Sequence, residues 1–256
     1  MAHHDNTRHV FIGWDNREAL ASIVCKYSIL KNLTTDDVSV QFLNQKDLRQ
    51  KKLYYRKSFL NANGQYFDGI DNKPFSTEFS FSRFLVPAIC REQQLKGWAL
   101  FLDGDIVVLE DVNKLFELAN SKYAVMCVKF NWLPEKTERQ KMDGMIQTRY
   151  NKKLWSSMML FNLDHPSCKK LDHISVNQSL GSYLHKFKWV NDRDIGPLPE
   201  EWNYVPTVSS SHKEPKALHF TKGGPWFEEY RKCEYGEVWI DYLNTVPKNF
   251  IVNNLL

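Results

Sequence analysis

Apolar residues in this chain come in short bursts closed by polar punctuation. Residues 9–14 form the first burst, ending at Asp15, and read as a strand. Asn16 follows as a side-chain acceptor suited to cap a helix running to about Lys31. Residues 37–43, alternating and rich in β-branched side chains, read as a second strand. Strand, helix, strand opens an α/β fold with a parallel sheet. Residues 44–77 are rich in Lys, Asn, Tyr and Gly and show no clear period, so a stretch of this length predicts a functional excursion. Residues 79–94 then read as a helix, 98–102 as a strand, 123–128 and 157–162 as further strands, and 176–186 as a helix. No repeat or low-complexity linker interrupts the pattern. The expectation is one domain over 1–256, with 1–8 as a flexible tail and 44–77 and 131–153 as active-site loops.

Composition narrows the classes without choosing one. A chain of 256 residues, 43% hydrophobic, has room for a substantial core. Its net charge of +4 is a small excess over 30 acidic residues, which argues against a dedicated nucleic-acid binder. The same charge fits an anionic small substrate or a peripheral membrane contact. Eight Trp offer faces that stack on sugars and nucleobases or fill a core. Five scattered Cys without a CxxC pair predict neither a zinc knuckle nor a disulfide framework, and point to a reducing, cytoplasmic setting. No apolar run reaches membrane-span length, and the first residues do not read as a signal peptide. Without such a signal, the glycan acceptor patterns at Asn32 and Asn177 are read as chance.

The most informative segment is Asp103-Gly104-Asp105, set between apolar Trp98–Leu102 and Ile106–Leu109. Side chains at i and i+2 of an extended segment leave on one side, so both carboxylates can face one cation. Gly104 lets the backbone approach a ligand without a Cβ. Hard oxygen donors of this kind suit Mg²⁺, Ca²⁺ or Mn²⁺. The competing reading is a hairpin, because Asp-Gly between apolar runs is also a turn signal. In open α/β sheets the carboxyl ends of strands hold ligands, which places Asp103, Asp105 and Asp15 on one functional edge. Asp15 reads equally as a helix-start acid. Farther on, His219 precedes Lys222, Gly223 and Gly224. The imidazole can complete a mixed oxygen and nitrogen site, and Lys222 with the backbone about Gly223 can neutralise a diphosphate.

Taken in order, Phe11-Ile12-Gly13-Trp14-Asp15, Phe81-Ser82-Arg83, Asp103-Gly104-Asp105, and His219 with Pro225-Trp226 resemble the nucleotide-sugar glycosyltransferases of the GT-A fold. The chain is most similar to their glycogenin-like, retaining family 8 type. The resemblance implies a Rossmann-like, mostly parallel central sheet flanked by helices. It implies Asp103, Asp105 and His219 as ligands of Mn²⁺ (or Mg²⁺), with Asp15, Ser82, Arg83, Gly104, Lys222 and Gly223 near the donor. The donor implied is a nucleoside diphosphate sugar, UDP-linked, and the acceptor a glycan or other hydroxyl. Departures fall mainly on the acceptor side. Trp155-Ser156-Ser157 replaces the family's Asn-Ala-Gly, and Asn191-Asp192-Arg193-Asp194 stands for its Asp-Gln-Asp, ahead of Leu198-Pro199 and Trp202-Asn203. In the late motif Lys occupies position 222, where the family has Gly, and Trp226 comes one residue early.

Sugar transfer asks chiefly for positive charge at the departing diphosphate, which the cation, Lys222 and Arg83 would supply. Asp192, with Asp194 as its rival, is the candidate to orient the acceptor; an ordinary turn is the alternative. Trp132, Trp155, Trp202 and Trp226 are candidate sugar platforms or core residues. The 131–150 stretch, with Lys136, Lys141, Asp143 and Gly144, reads as a lid or as a solvated loop. Two other functions compete. A phosphohydrolase of the haloacid dehalogenase type also starts from DxD, but it needs Thr where Val107 stands. A non-catalytic nucleotide or glycan module is the other.

Overall fold

The computed structural model describes residues 8–131, 148, 152, 154–206, 208–209 and 214–255. The predicted tail before Arg8, Trp132 and most of the predicted lid, including Lys136, Lys141, Asp143 and Gly144, lie outside the described residues.

β1 (Arg8–Gly13) leads through a 3-10 turn, Asn16–Glu18, into α1 (Ala19–Asn32), and β2 (Val38–Leu43) returns parallel to β1. The cap is Asp15 and not Asn16: Asp15 Oδ1 accepts from the Arg17 backbone N–H at 2.9 Å. Asn16 Oδ1 is taken instead by the Trp14 indole N–H at 3.0 Å.

The aperiodic 44–77 stretch is ordered. It holds α2 (Gln45–Gln50) and an antiparallel meander of β3 (Ser58–Leu60), β4 (Tyr66–Asp68) and β5 (Pro74–Phe75). These strands are too short to show an alternation in sequence. A buried bidentate pair, Arg56 to Asp68 at 2.7 Å on both oxygens, ties the meander inward. Arg56 Nη1 also donates to the Val176 and Ser179 carbonyls at 2.9 and 2.7 Å.

The helix predicted over 79–94 divides. Ser82–Leu85 is a 3-10 turn, and α3 (Val86–Glu92) starts afresh with Pro87 in its first turn. Pro87 has no N–H to continue a preceding helix but fits a new first turn, where that donor is not needed. β6 (Trp98–Leu102), β7 (Ile106–Val108), α4 (Asn113–Phe116), β8 (Val125–Cys127) and β9 (Met158–Asn162) follow. The predicted 176–186 helix also breaks, into α5 (His173–Gln178) and α6 (Gly181–His185). Ser179 and Leu180 between them are extended, and Arg56 captures the Ser179 carbonyl that a continuous helix would have used. The remaining elements are β10 (Ile195–Pro197), β11 (Ala217–His219), α7 (Gly236–Thr245) and α8 (Lys248–Leu255).

The six-stranded central sheet has the order β10-β8-β9-β6-β1-β2, and β9 alone runs against the rest. Both faces are covered, as a mostly parallel sheet requires. Phe11, Phe101 and Phe161 pack on one side with Ile89 of α3, Val176 of α5 and Leu184 of α6. Their neighbours Val10, Ile12, Leu100 and Leu160 pack on the other with Cys25 and Ile29 of α1 and Leu115 of α4. This alternation is the pleat expressed as two cores. Each such side chain contributes about 1.5–3 kcal/mol on burial. A third cluster joins α1, α7 and the separate β7–β11 pair through Ile23, Val107, Leu218 and Trp239.

Internal hydrogen bonds consume both asparagines of the glycan acceptor patterns. Asn177 Oδ1 accepts from the Tyr55 and Arg56 backbones, and Asn32 Nδ2 donates to Ser28 O, Val108 O and Tyr242 Oη. Among the described residues no helix is long and apolar enough to cross a membrane. All five cysteines are free thiols.

Candidate active site

Strand pairing settles what Asp103-Gly104-Asp105 is. β6 pairs with β1 and β9, while β7 pairs with β11, so the segment is a crossing between two sheets and not a hairpin. The Asp103 amide anchors on the Ser157 carbonyl at 2.8 Å. Gly104 sits hard against the first strand and helix: a Cβ there would lie 2.3 Å from Ser22 Oγ and 2.5 Å from the Gly13 carbonyl. Any side chain would push the crossing outward and move both carboxylates.

β11 then delivers the imidazole. Its antiparallel register sets His219 opposite Ile106, and the Phe220 amide donates to the Asp105 carbonyl at 3.0 Å. Asp103, Asp105 and His219 are all buried, with ligand atoms within 4.8 Å of one another. His219 Nε2 stands 3.3 Å from Asp105 Oδ1 and makes no hydrogen bond. Its other nitrogen, Nδ1, meets Asn203 Oδ1 at 2.9 Å. Two carboxylates and an imidazole nitrogen with no hydrogen-bond partner form a donor set that fits a hard or borderline divalent cation such as Mn²⁺.

Arg83 closes the other side. Its Nη1 lies 2.8 Å from Asp103 Oδ1 and donates to the Ser156 carbonyl at 2.8 Å. Burial pulls the Arg83 pKa down, and the charges of Asp103 and Asp105 oppose that pull. Burial, then the charges of Asp105 and Asp103, hold the Cys25 thiol well above its ordinary range, so Cys25 behind the pair remains a neutral thiol. A pocket opens beside Asp103 and Arg83, lined also by Thr77, Ser80, Lys152, Ser156, Ser157 and His185. His185 is pulled down to about 3 by burial first, then by Arg83 and Arg56, so it faces this pocket as a neutral ring.

The other predicted residues fall into three groups. Lys222 is exposed in the turn immediately after β11, and Gly223 has a φ of +116° with its amide bonded to the Phe220 carbonyl. Asp192 is exposed and pairs with Lys152, which puts it at the rim of the Asp103 pocket. Asp15, Ser82 and Asp194 do not line that pocket. Asp15 is fully buried under Arg17, Ser82 is fully buried, and Asp194 is engaged by Asn191 and Arg193 of its own turn. Trp202 belongs to the core, and Trp155 donates its indole N–H to the Phe130 carbonyl at 3.0 Å.

Three contributors were noted in the sequence only as parts of longer motifs and were given no role there. Asn203 and Ser157 stand behind His219, and Ser156 behind Arg83. Their signal was only indirect: polar residues directly before the apolar strand β9, and an Asn following a core Trp.

Comparison with known proteins adds the missing context. The family model described as "Glycosyl transferase family 8" matches residues 9–228. Protein CDI of Arabidopsis thaliana is 40% identical over 244 residues, covering 93% of this chain and 87% of that protein. Among solved structures, the WbbM bifunctional glycosyltransferase superposes with a TM-score of 0.64 at 14% identity. That match covers 99% of this chain, which spans about half (52%) of WbbM. The galactosyltransferase LgtC, in complex with donor and acceptor sugar analogues, superposes with a TM-score of 0.54 at 12% identity, covering 94% of this chain and 98% of LgtC. The structural likenesses speak for the fold, and the sequence match speaks for the chemistry. With its mostly parallel sheet and the match across most of its length, this chain belongs to glycosyl transferase family 8 and is a glycosyltransferase of GT-A fold.

Proposed function

We propose that this chain transfers a sugar from a UDP-linked donor to a hydroxyl acceptor, with retention, using Mn²⁺ (or Mg²⁺) held by Asp103, Asp105 and His219. The observation that carries the reading is the convergence of these three side chains, from two strands far apart in sequence, at the carboxyl end of β6. The cation, when bound, supplies fixed positive charge for the diphosphate as it leaves.

The chain's own residues do the rest. Arg83 holds Asp103 in place from the Ser156 carbonyl and adds charge on the donor side. Lys222, carried on the turn that Gly223 closes, offers a cation to the same diphosphate. Gly104 lets the crossing seat against Gly13 and Ser22, which fixes where both carboxylates stand on the donor side. Ser82, and Asp15, which fixes the helix start after β1, complete the donor side of this reading. The pocket between Arg83, Ser156 and His185 takes the transferred sugar, and Asp192, steadied by Lys152, orients the acceptor at its rim. Asp194, turned into its own loop, is the weaker candidate for that role.

A donor-hydrolysis screen over UDP- and GDP-sugars, run with Mn²⁺ and with a chelator, tests the reading. Metal-dependent release of UDP from one sugar is expected. Hydrolysis of simple phosphomonoesters with nucleotide sugars ignored would return the case to a phosphohydrolase, and tight binding without turnover to a binding module.

A further inference from the structure

We infer that Ser157 and Asn203 are positioning residues that keep the His219 proton on Nδ1 and turn the Nε2 lone pair toward Asp105, presetting the imidazole as a cation ligand. The inference rests on the proposed cation site and adds residues to it.

The hydrogen-bond chain runs in one direction only. Ser157 Oγ has a single hydrogen, which it donates to the Leu154 carbonyl at 2.6 Å, and a carbonyl only accepts. Ser157 Oγ is therefore the acceptor toward Asn203, and the atom facing it at 2.8 Å is the amide Nδ2. That leaves Asn203 Oδ1 facing His219 Nδ1 at 2.9 Å. Oδ1 cannot donate, so Nδ1 carries a proton, and of the two neutral tautomers the chain selects the one with its lone pair on Nε2. Reverse any link and two acceptors would face each other in a buried place, for Asn203, His219 and Ser157 are 0%, 1% and 2% exposed.

The same short turn anchors the rest of the donor set. The Ser157 carbonyl accepts from the Asp103 amide, and the Ser156 carbonyl from Arg83, which reaches Asp103. Leu154 holds a left-handed φ of +67° at its start, a conformation tolerated where the surroundings fix it. The turn Trp155–Ser157 thus registers β6 against β11 at their ligand ends.

The test is a direct Mn²⁺ titration without donor, following free Mn²⁺ by electron paramagnetic resonance. Ser157→Thr and Ser157→Val have the same shape and differ in the hydroxyl. The Thr variant should bind as the parent does, and the Val variant about 10–100-fold more weakly, the usual effect of losing a partner that orients a ligand. Asn203→Leu should lose as much, and it decides the matter if the substitutions at 157 impair folding. Equal Mn²⁺ affinity for the Thr and Val variants, or parent-like affinity in Asn203→Leu, overturns the inference while leaving the metal site intact. A parent protein that binds no Mn²⁺ overturns both.

Discussion

Asp15 and Asp103 follow neighbouring parallel strands on the same edge of the sheet, yet the chain treats them oppositely. Asp15 is wrapped by its own neighbourhood. Oδ1 takes the Arg17 backbone N–H and Nε, and Oδ2 takes Arg17 Nη2 and the Glu78 amide, at 2.8–3.1 Å. Those four donors account for the acceptor capacity of a carboxylate, and the helix start is fixed as a result. At the Asp103 end the partners come from distant segments: Arg83 on one side, and on the other His219, whose proton is held away on Nδ1. In the Nδ1-protonated neutral tautomer acceptor faces acceptor between Nε2 and Asp105, an arrangement that a cation stabilises. The difference teaches that a strand-end carboxylate wrapped by its own helix start serves as a cap, whereas one met by side chains from distant segments is placed where a cation could be held.

Three substitutions press on that difference. Asp105→Ala has the largest expected effect. Donor hydrolysis should fall on the order of 10³-fold, the consequence of losing several kcal/mol of charge stabilisation. Mn²⁺ binding should go with it, while the metal-free melting temperature holds. Asp15→Ala should do the reverse: a loss of about 2 kcal/mol in urea unfolding, from the missing cap and the stranded Arg17, with Mn²⁺ affinity unchanged. Equal effects of the two on metal binding would erase the distinction. The smallest effect concerns His185, whose folded pKa of about 3 lies below its ordinary 6.5. The unfolded chain takes up a proton below 6.5 and the native one does not, so this contribution is full above 6.5 and fades as pH falls toward 3. His185→Gln should therefore flatten the acid limb of a urea-midpoint series, and a parallel slope in parent and variant would show that His185 already titrates normally.

Much of this was legible in the sequence because it is local. The apolar bursts of β1, β6 and β9 marked their strands, and the Asp103–Asp105 spacing with the downstream His219 named the three side chains that the fold brings together. What could not be read depended on distant partners. The break between α5 and α6 is made by Arg56, more than a hundred residues earlier, taking the Ser179 carbonyl. The meander β3–β5 is held by the Arg56–Asp68 pair and not by a hydrophobic period. That Asp15 caps the helix start was plain only once the Glu78 amide and the Arg17 side chain were seen to arrive on it together. Asn203 and Ser157 were invisible as a pair because only the fold brings them within 2.8 Å.

The measurement closest to the central claim is a calorimetric titration of UDP into the protein with Mn²⁺ and again with chelator. The account predicts affinity at least about tenfold higher with the metal, a gain of about 1.4 kcal/mol, and loss of that gain in His219→Ala. UDP binding of the same strength with and without Mn²⁺, in both proteins, would contradict it.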